Sequence, residues 1–250
     1  MFTTAERDHV RDELVAAAKA DPRIAAAGFA GSSAHGNQDR WSDIDLALGL
    51  APEVDYDDVV AAWTGSLYRD YGAVTHLDVW AGSTLFRVFL LPGTLQVDVA
   101  FWPAGDFGAT GPRFEVLFGQ ANDVEQTKPP VAANLVGWAW LYALHARSSI
   151  ARRRLWQAEY MVSGLRDQVF ALACLRHDVP ATQGRGLDDL PAEATGPITA
   201  ALVRSPDPAE LSRAFTAACE ALLTEVGHID PEHAERLAPS VRELAASATP

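Results

Sequence analysis

Residues 24–36 read Ile24-Ala-Ala-Ala-Gly-Phe-Ala-Gly-Ser-Ser-Ala-His-Gly36, and five positions further on comes Trp41-Ser-Asp-Ile-Asp-Leu46. Ile24 to Ala30 is a short apolar run, the length of a buried strand, and it delivers the chain to Gly31-Ser32. Small residues at such a strand end let backbone N–H groups approach an anion. Ten residues separate Ser32 from Asp43. Asp43 and Asp45 then stand one residue apart at the start of a second apolar run, Ile44 to Leu50, so a strand there sends both carboxylates to one face. Their Cα atoms lie about 7 Å apart in that geometry, close enough to converge on one or two hard divalent cations. Ile44 and Leu46 point the other way, into a core.

The text around this segment mixes helical and strand periods. Thr4 to Ala20 carries Val10, Leu14, Val15 and Ala18 at helical spacing, with Thr3 or Thr4 as the cap. A second helix is expected from Val54 to Tyr71. Three more strands are expected at Val74–Trp80, Leu85–Leu91 and Leu95–Phe101, broken at Ala81-Gly82-Ser83 and Pro92-Gly93. In the last of these Leu95, Val97, Val99 and Phe101 alternate with Gln96, Asp98 and Ala100, which predicts one polar face. Asp98, set in Leu-Gln-Val-Asp-Val-Ala-Phe, is costly there without a partner. Three aspartates on neighbouring strands repel one another unless a cation neutralises them.

Residues 103–130 are rich in Gly and Pro and hold one further strand candidate, Phe114 to Phe118. From Val131 the pattern turns helical: Val131–Ser149, Arg153–His177, Ala192–Val203, Pro208–Val226 and Pro231–Ala246. The reading is an α+β protein with a mixed β-sheet domain flanked by helices over residues 1–130, and an all-α helical bundle over 131–250.

Composition narrows the function classes. The chain has 250 residues, of which 48% are hydrophobic, enough for a sizeable core. Its net charge is −13. The acidity is concentrated in residues 1–130, where 9 Lys/Arg face 19 Asp/Glu for a net −10. Binders of nucleic acid or of anionic membranes need a basic footprint, which this balance disfavours. It suits divalent metal and cationic small molecules. Cys174 and Cys219 both lie in helical text, which excludes a disulfide scaffold and reads as buried thiols. The N-terminus lacks the apolar core of a signal peptide, and the most apolar stretch, Val131 to Ala146, is too short and too interrupted to span a bilayer. A cytoplasmic location is the expectation.

The ordered set of Ala30-Gly31-Ser32, a spacer, Asp43-Ile44-Asp45 and a later strand aspartate, Asp98, resembles the signature of the nucleotidyltransferase superfamily that includes DNA polymerase β. More narrowly it is similar to the antibiotic-modifying and minimal bacterial branches, whose members often add a helical C-terminal domain. The resemblance implies that Asp43, Asp45 and Asp98 ligate two Mg²⁺ ions. It implies that Gly31 and Ser32, with Ser42, hold the triphosphate of ATP or another nucleoside triphosphate. Asp98 would also help to deprotonate an acceptor hydroxyl. Many antibiotic-modifying members carry Arg where this chain has His35; a neutral His is the weaker phosphate ligand.

In the helical half, Trp156, Glu159, Ser163 and Arg166 share a face at spacings of three and four. Related enzymes often bind or deprotonate the acceptor with a carboxylate from this domain, which makes Glu159 the candidate. Arg152-Arg-Arg154 reads as a solvated helix start, Arg185 as part of a turn, and Trp138 and Trp140 as core. His145, His177 and His228 lack metal-ligand spacing.

The expected activity is Mg²⁺-dependent transfer of a nucleoside monophosphate, AMP from ATP, to a hydroxyl of a small molecule such as an aminoglycoside-like antibiotic. Two rivals stay open: the same chemistry on a protein or a tRNA end, and a non-catalytic nucleotide-binding, antitoxin-like module. Oligomeric state is left open by the sequence.

Overall fold

The protein is described by a computed structural model covering residues 1–31, 39–108, 114–123 and 128–248. The chain divides into two compact units, Met1–Thr127 and Lys128–Pro250.

The first unit opens on helix α1, Thr4–Ala20, fixed by a capping box in which Thr3 Oγ1 accepts from Glu6 N–H and Thr3 N–H donates to the Glu6 carboxylate. Strands β1, Ile24–Ala30, and β2, Ile44–Leu50, follow. Helix α2 spans Tyr56–Asp70 and starts two residues later than expected, because the Asp55 side chain accepts from Asp58 N–H and so becomes the N-cap. Strands β3, Thr75–Ala81, β4, Thr84–Leu90, β5, Gln96–Trp102, and β6, Phe114–Phe118, complete the unit.

The six strands form one mixed sheet in the order β3-β4-β5-β2-β1-β6. β2 and β5 run parallel, and the other neighbours are antiparallel. One face is built from Ile44, Leu46, Leu48, Val97, Val99 and Phe101, and it packs with α1 and α2 through Leu14, Val59, Trp63 and Leu67. These residues alternate at period two, so every second position is committed to this core. The opposite face is not uniformly polar, as the alternation in β5 suggested. Ala26, Ala47, Ala100, Trp102 and Phe107 form a second, smaller cluster there. Small strand residues leave room for aromatic rings to lie on the sheet.

The second unit consists of α3, Ala132–Ala151, α4, Leu155–Arg176, α5, Ala192–Thr199, α6, Pro208–Ile229, and α7, Pro231–Ala246. α6 and α7 begin with Asp-Pro pairs, Asp207-Pro208 and Asp230-Pro231, in which the aspartate caps and the proline fills the first turn. α5 ends at Thr199 rather than Val203. The Arg213 guanidinium takes the carbonyls of Ala200 and Leu202, at 2.6 and 2.9 Å, and so satisfies acceptors just past the helix end.

α3 packs through Val136, Ala139, Ala143, Ala146 and Ile150. That stripe leaves Trp138 and Trp140 outside: they are 56% and 41% exposed, not core. Alanines let α3 approach its neighbours closely, and the bulky rings flank the packed stripe on its two sides. Cys174 and Cys219 are buried free thiols, and burial pushes Cys219 up to about 12, so neither is a reactive group. Arg176 meets Glu225 through paired 2.9 Å hydrogen bonds, which neutralises a carboxylate that is almost fully buried. No helix among the described residues is long and apolar enough to cross a membrane.

Candidate active site

Parallel pairing of β2 with β5 sets Asp45 directly opposite Asp98, one step from the Ile44 and Val97 pair that points into the core. Asp43 precedes β2 by one residue and lies at the same end. Each of the three carboxylates offers an oxygen, and these oxygens lie within 4.8 Å of one another. All three side chains are half-buried. At such spacing and partial burial the charges repel strongly. A hard, oxygen-seeking divalent cation relieves that repulsion, and the all-carboxylate donor set fits Mg²⁺ or Mn²⁺ rather than a thiophilic metal.

Gly31 closes one side of this cluster. It adopts φ +62°, and a side chain at this position would collide with Asp45 Oδ2. The close approach of the backbone to the carboxylate therefore requires glycine. Of the other phosphate-side residues expected, Ser32 and His35 lie outside the described residues. The Ser42 hydroxyl accepts from Asp39 N–H at 2.9 Å and donates to Asp39 Oδ1 at 3.1 Å. It holds a tight turn, Asp39–Ser42, immediately before Asp43.

Two residues of this site escaped the sequence reading. Gln96, two positions before Asp98 on the same strand face, donates to Asp98 Oδ1 at 2.9 Å and to Asp43 Oδ2 at 3.3 Å. One amide thus ties two of the three carboxylates together. Its signal was the period of two that placed it beside Asp98. The other is Arg7, on the buried side of α1 and only 3% exposed. Its guanidinium donates to the Asp39 carbonyl at 2.5 Å and to Asp8 Oδ1, anchoring the turn that leads into Asp43. No local pattern distinguishes such an arginine from a surface one. Arg7→Ala is expected to cost about 2 kcal/mol, read as a shift of the denaturant midpoint, with Arg7→Lys recovering part of it.

Burial pushes Asp98 up to about 6, with the nearby Asp43 charge adding to the rise and the Gln96 hydrogen bond opposing it. Because its folded value exceeds its unfolded one, Asp98 favours folding while protonated, and this contribution is lost as pH rises from about 4 to about 6. Discounted for its partial exposure, the effect is about 1–2 kcal/mol. Metal-free protein is expected to lose that much stability across the window in chelator. Asp98→Asn removes the slope, and a thermal-melt series at fixed salt reads both.

Glu159 lies on α4, half-buried, and its Oε1 accepts from Ser163 Oγ at 2.7 Å. Arg166 pairs with the adjacent Asp167 at 2.9 Å, so Glu159 draws its fixed contact from the serine one turn on. Arg152, Arg153, Arg154 and Arg185 are exposed.

No protein-family model matches the sequence, and no curated protein matches it. Among solved structures, the chain is similar to the crystal structure of an aminoglycoside 6-adenyltransferase from Bacillus subtilis. The identity is 11% and the TM-score 0.42, over 93% of this chain and 96% of that one.

Proposed function

We propose that the protein is a metal-dependent nucleotidyltransferase that moves a nucleoside monophosphate, AMP from ATP, to a hydroxyl group of a small molecule. The observation that carries this reading is the trio Asp43, Asp45 and Asp98, whose oxygens gather within 4.8 Å beside a glycine turn that a side chain would block. Asp43, Asp45 and Asp98 would hold Mg²⁺, two ions in the full arrangement. Bound there, Mg²⁺ supplies charge neutralisation and alignment for the entering and leaving oxygens.

The chain's own residues set up the rest. Gly31 lets the backbone approach the phosphates, and Ser32, the next residue in the sequence, is the proposed second phosphate contact. Ser42 shapes the turn that delivers Asp43. Gln96 fixes the relative placement of Asp43 and Asp98, so the donor set is preorganised. In the transfer, the acceptor oxygen forms a bond to the α-phosphorus while the bond from that phosphorus to the bridging oxygen breaks. The electron pair leaves with pyrophosphate, and the hydroxyl proton passes to Asp98 and on to water. Positioning and electrostatics provide the acceleration in such transfers.

The net −10 of residues 1–130 supports an acceptor carrying positive charge, with an aminoglycoside-like antibiotic as the first class to try. Glu159, held by Ser163, is the proposed acceptor-facing carboxylate of the helical unit. The test incubates the protein with α-labelled ATP, Mg²⁺ and a panel of amino-sugar and other hydroxyl compounds. Label on a small acceptor with release of pyrophosphate is the expected result. Label on protein or RNA alone would move the reading to a macromolecular target. Absence of nucleotide and metal binding would make the protein a non-catalytic module.

A further inference from the structure

On the carboxylate face of the sheet, the row next to Asp45 and Asp98 is made of small residues. Ala47 on β2 stands beside Ala100 on β5, and beyond Ala47 comes Gly28 on β1. The neighbours of that row are aromatic. Phe86 on β4 pairs with Ala100, and the ring of Phe114 leans over Gly28. Trp102, two residues beyond Ala100 on β5, closes the far end, its ring near those of Phe86 and Phe107. The result is a cavity of about 50 Å³ with an alanine floor, aromatic walls and the carboxylates of Asp45 and Asp98 at its rim. One water needs about 10–15 Å³ measured in the same way, so the space suits a group of several heavy atoms.

We infer that this cavity receives an apolar group of the acceptor, so the substrate is an alcohol with a compact alkyl portion of a few carbons next to its reacting hydroxyl. The inference rests on the nucleotidyltransferase reading and narrows its acceptor from hydroxyl compounds in general to one with an alkyl portion, rather than a polyhydroxylated amino sugar, beside the reacting oxygen. The direction along the strands separates acceptor from nucleotide. Gly31, whose backbone the triphosphate would approach, stands against the Asp45 carboxylate at the end of the sheet where Asp43 leads into β2, whereas the cavity runs from Asp45 and Asp98 towards Ala47, Ala100 and Trp102. In-line displacement puts the entering and leaving oxygens on opposite sides of the phosphorus, so the side away from Gly31 belongs to the acceptor. A phosphate placed among Phe86, Trp102 and Phe114 would lose its hydration without replacement. A nucleobase would leave the donors and acceptors of its edge unpaired there. A short alkyl group loses nothing polar and gains the burial. One strand step of two residues, about 7 Å, sets the distance from the carboxylate row to the apolar group.

The test measures binding of straight-chain alcohols from ethanol to hexanol by ligand-observed NMR on the full chain. Glycerol serves as the control, and Mn²⁺·ATP binding is followed in parallel by electron paramagnetic resonance. The expected result is affinity that rises from ethanol to an optimum at a short chain and falls beyond it in the presence of Mn²⁺·ATP, with glycerol inert. Ala100→Leu, which fills the floor, should weaken the best-binding alcohol at least tenfold and leave Mn²⁺·ATP binding intact. Phe86→Ala, which enlarges the cavity, should shift the optimum to longer alcohols and guards against a folding defect in the first variant. Intact Mn²⁺·ATP binding with no alcohol binding, or with alcohol binding that neither variant alters, overturns this inference and leaves the nucleotidyltransferase reading standing. Alcohol binding without any Mn²⁺·ATP binding overturns the acceptor assignment together with that reading.

Discussion

Asp45→Asn is expected to lower nucleotidyl transfer by about a thousandfold or more, about 4 kcal/mol of transition-state stabilisation, while making the metal-free protein more stable. Asp45 faces Asp98 across the parallel pair β2–β5, and their oxygens share a space of 4.8 Å with Asp43. An amide keeps the shape and removes one negative charge. In chelator that relieves repulsion among the remaining carboxylates, worth about 1 kcal/mol at their partial exposure, and the melting temperature rises. With Mg²⁺ present the order reverses: the parent gains stability by binding the ion, and the variant, short of a ligand, gains little. Opposite signs of the stability change with and without metal distinguish a metal ligand from a purely structural aspartate. A variant that melts lower in both conditions would remove Asp45 from the proposed metal set.

Gly31→Ala is expected to have the second largest effect. A left-handed backbone costs a residue with a β-carbon about 1–2 kcal/mol, and at φ +62° Gly31 is in that region. The added methyl also meets Asp45 Oδ2, so either the turn or the carboxylate must shift. A displacement of about 1 Å in a catalytic group costs about a hundredfold in rate. Gly82→Ala is the control: its φ is +61° with open space where the methyl would go. Both variants should lose stability in denaturant titrations, Gly31→Ala the more for its added contact with Asp45, and Gly31→Ala alone should lose transfer and Mn²⁺ affinity. Equal activity in the two would show that the Gly31 approach to Asp45 is not used.

Much of the fold is legible along the chain because its cues are local. The Thr3–Glu6 capping box, the Asp-Pro starts of α6 and α7 and the apolar runs of β1 and β2 coincide with observed ends of elements. Trp138 and Trp140 show where such reading fails. Hydrophobicity marked them as core, but α3 packs through its alanines, and packing distance rather than ring size chose the buried face. Arg7 and Gln96 were missed for a related reason. Arg7 acts on Asp39, far away in sequence, and nothing adjacent announces the contact; the period of two places Gln96 beside Asp98, but its second bond, to Asp43, comes from strand pairing.

The sequence by itself determined which residues alternate, where elements start and stop, and that three aspartates stand at strand positions. These follow from backbone period, capping chemistry and the cost of burying an unpartnered charge, all of which act within a few residues. Only the tertiary structure decided that β5 lies parallel to β2 in the register that places Asp98 beside Asp45, and that alanines in the next row leave a cavity under aromatic rings. A period of two assigns each side chain to a face. Which side chains become neighbours across that face depends on strand order and register, set by the packing of the whole sheet.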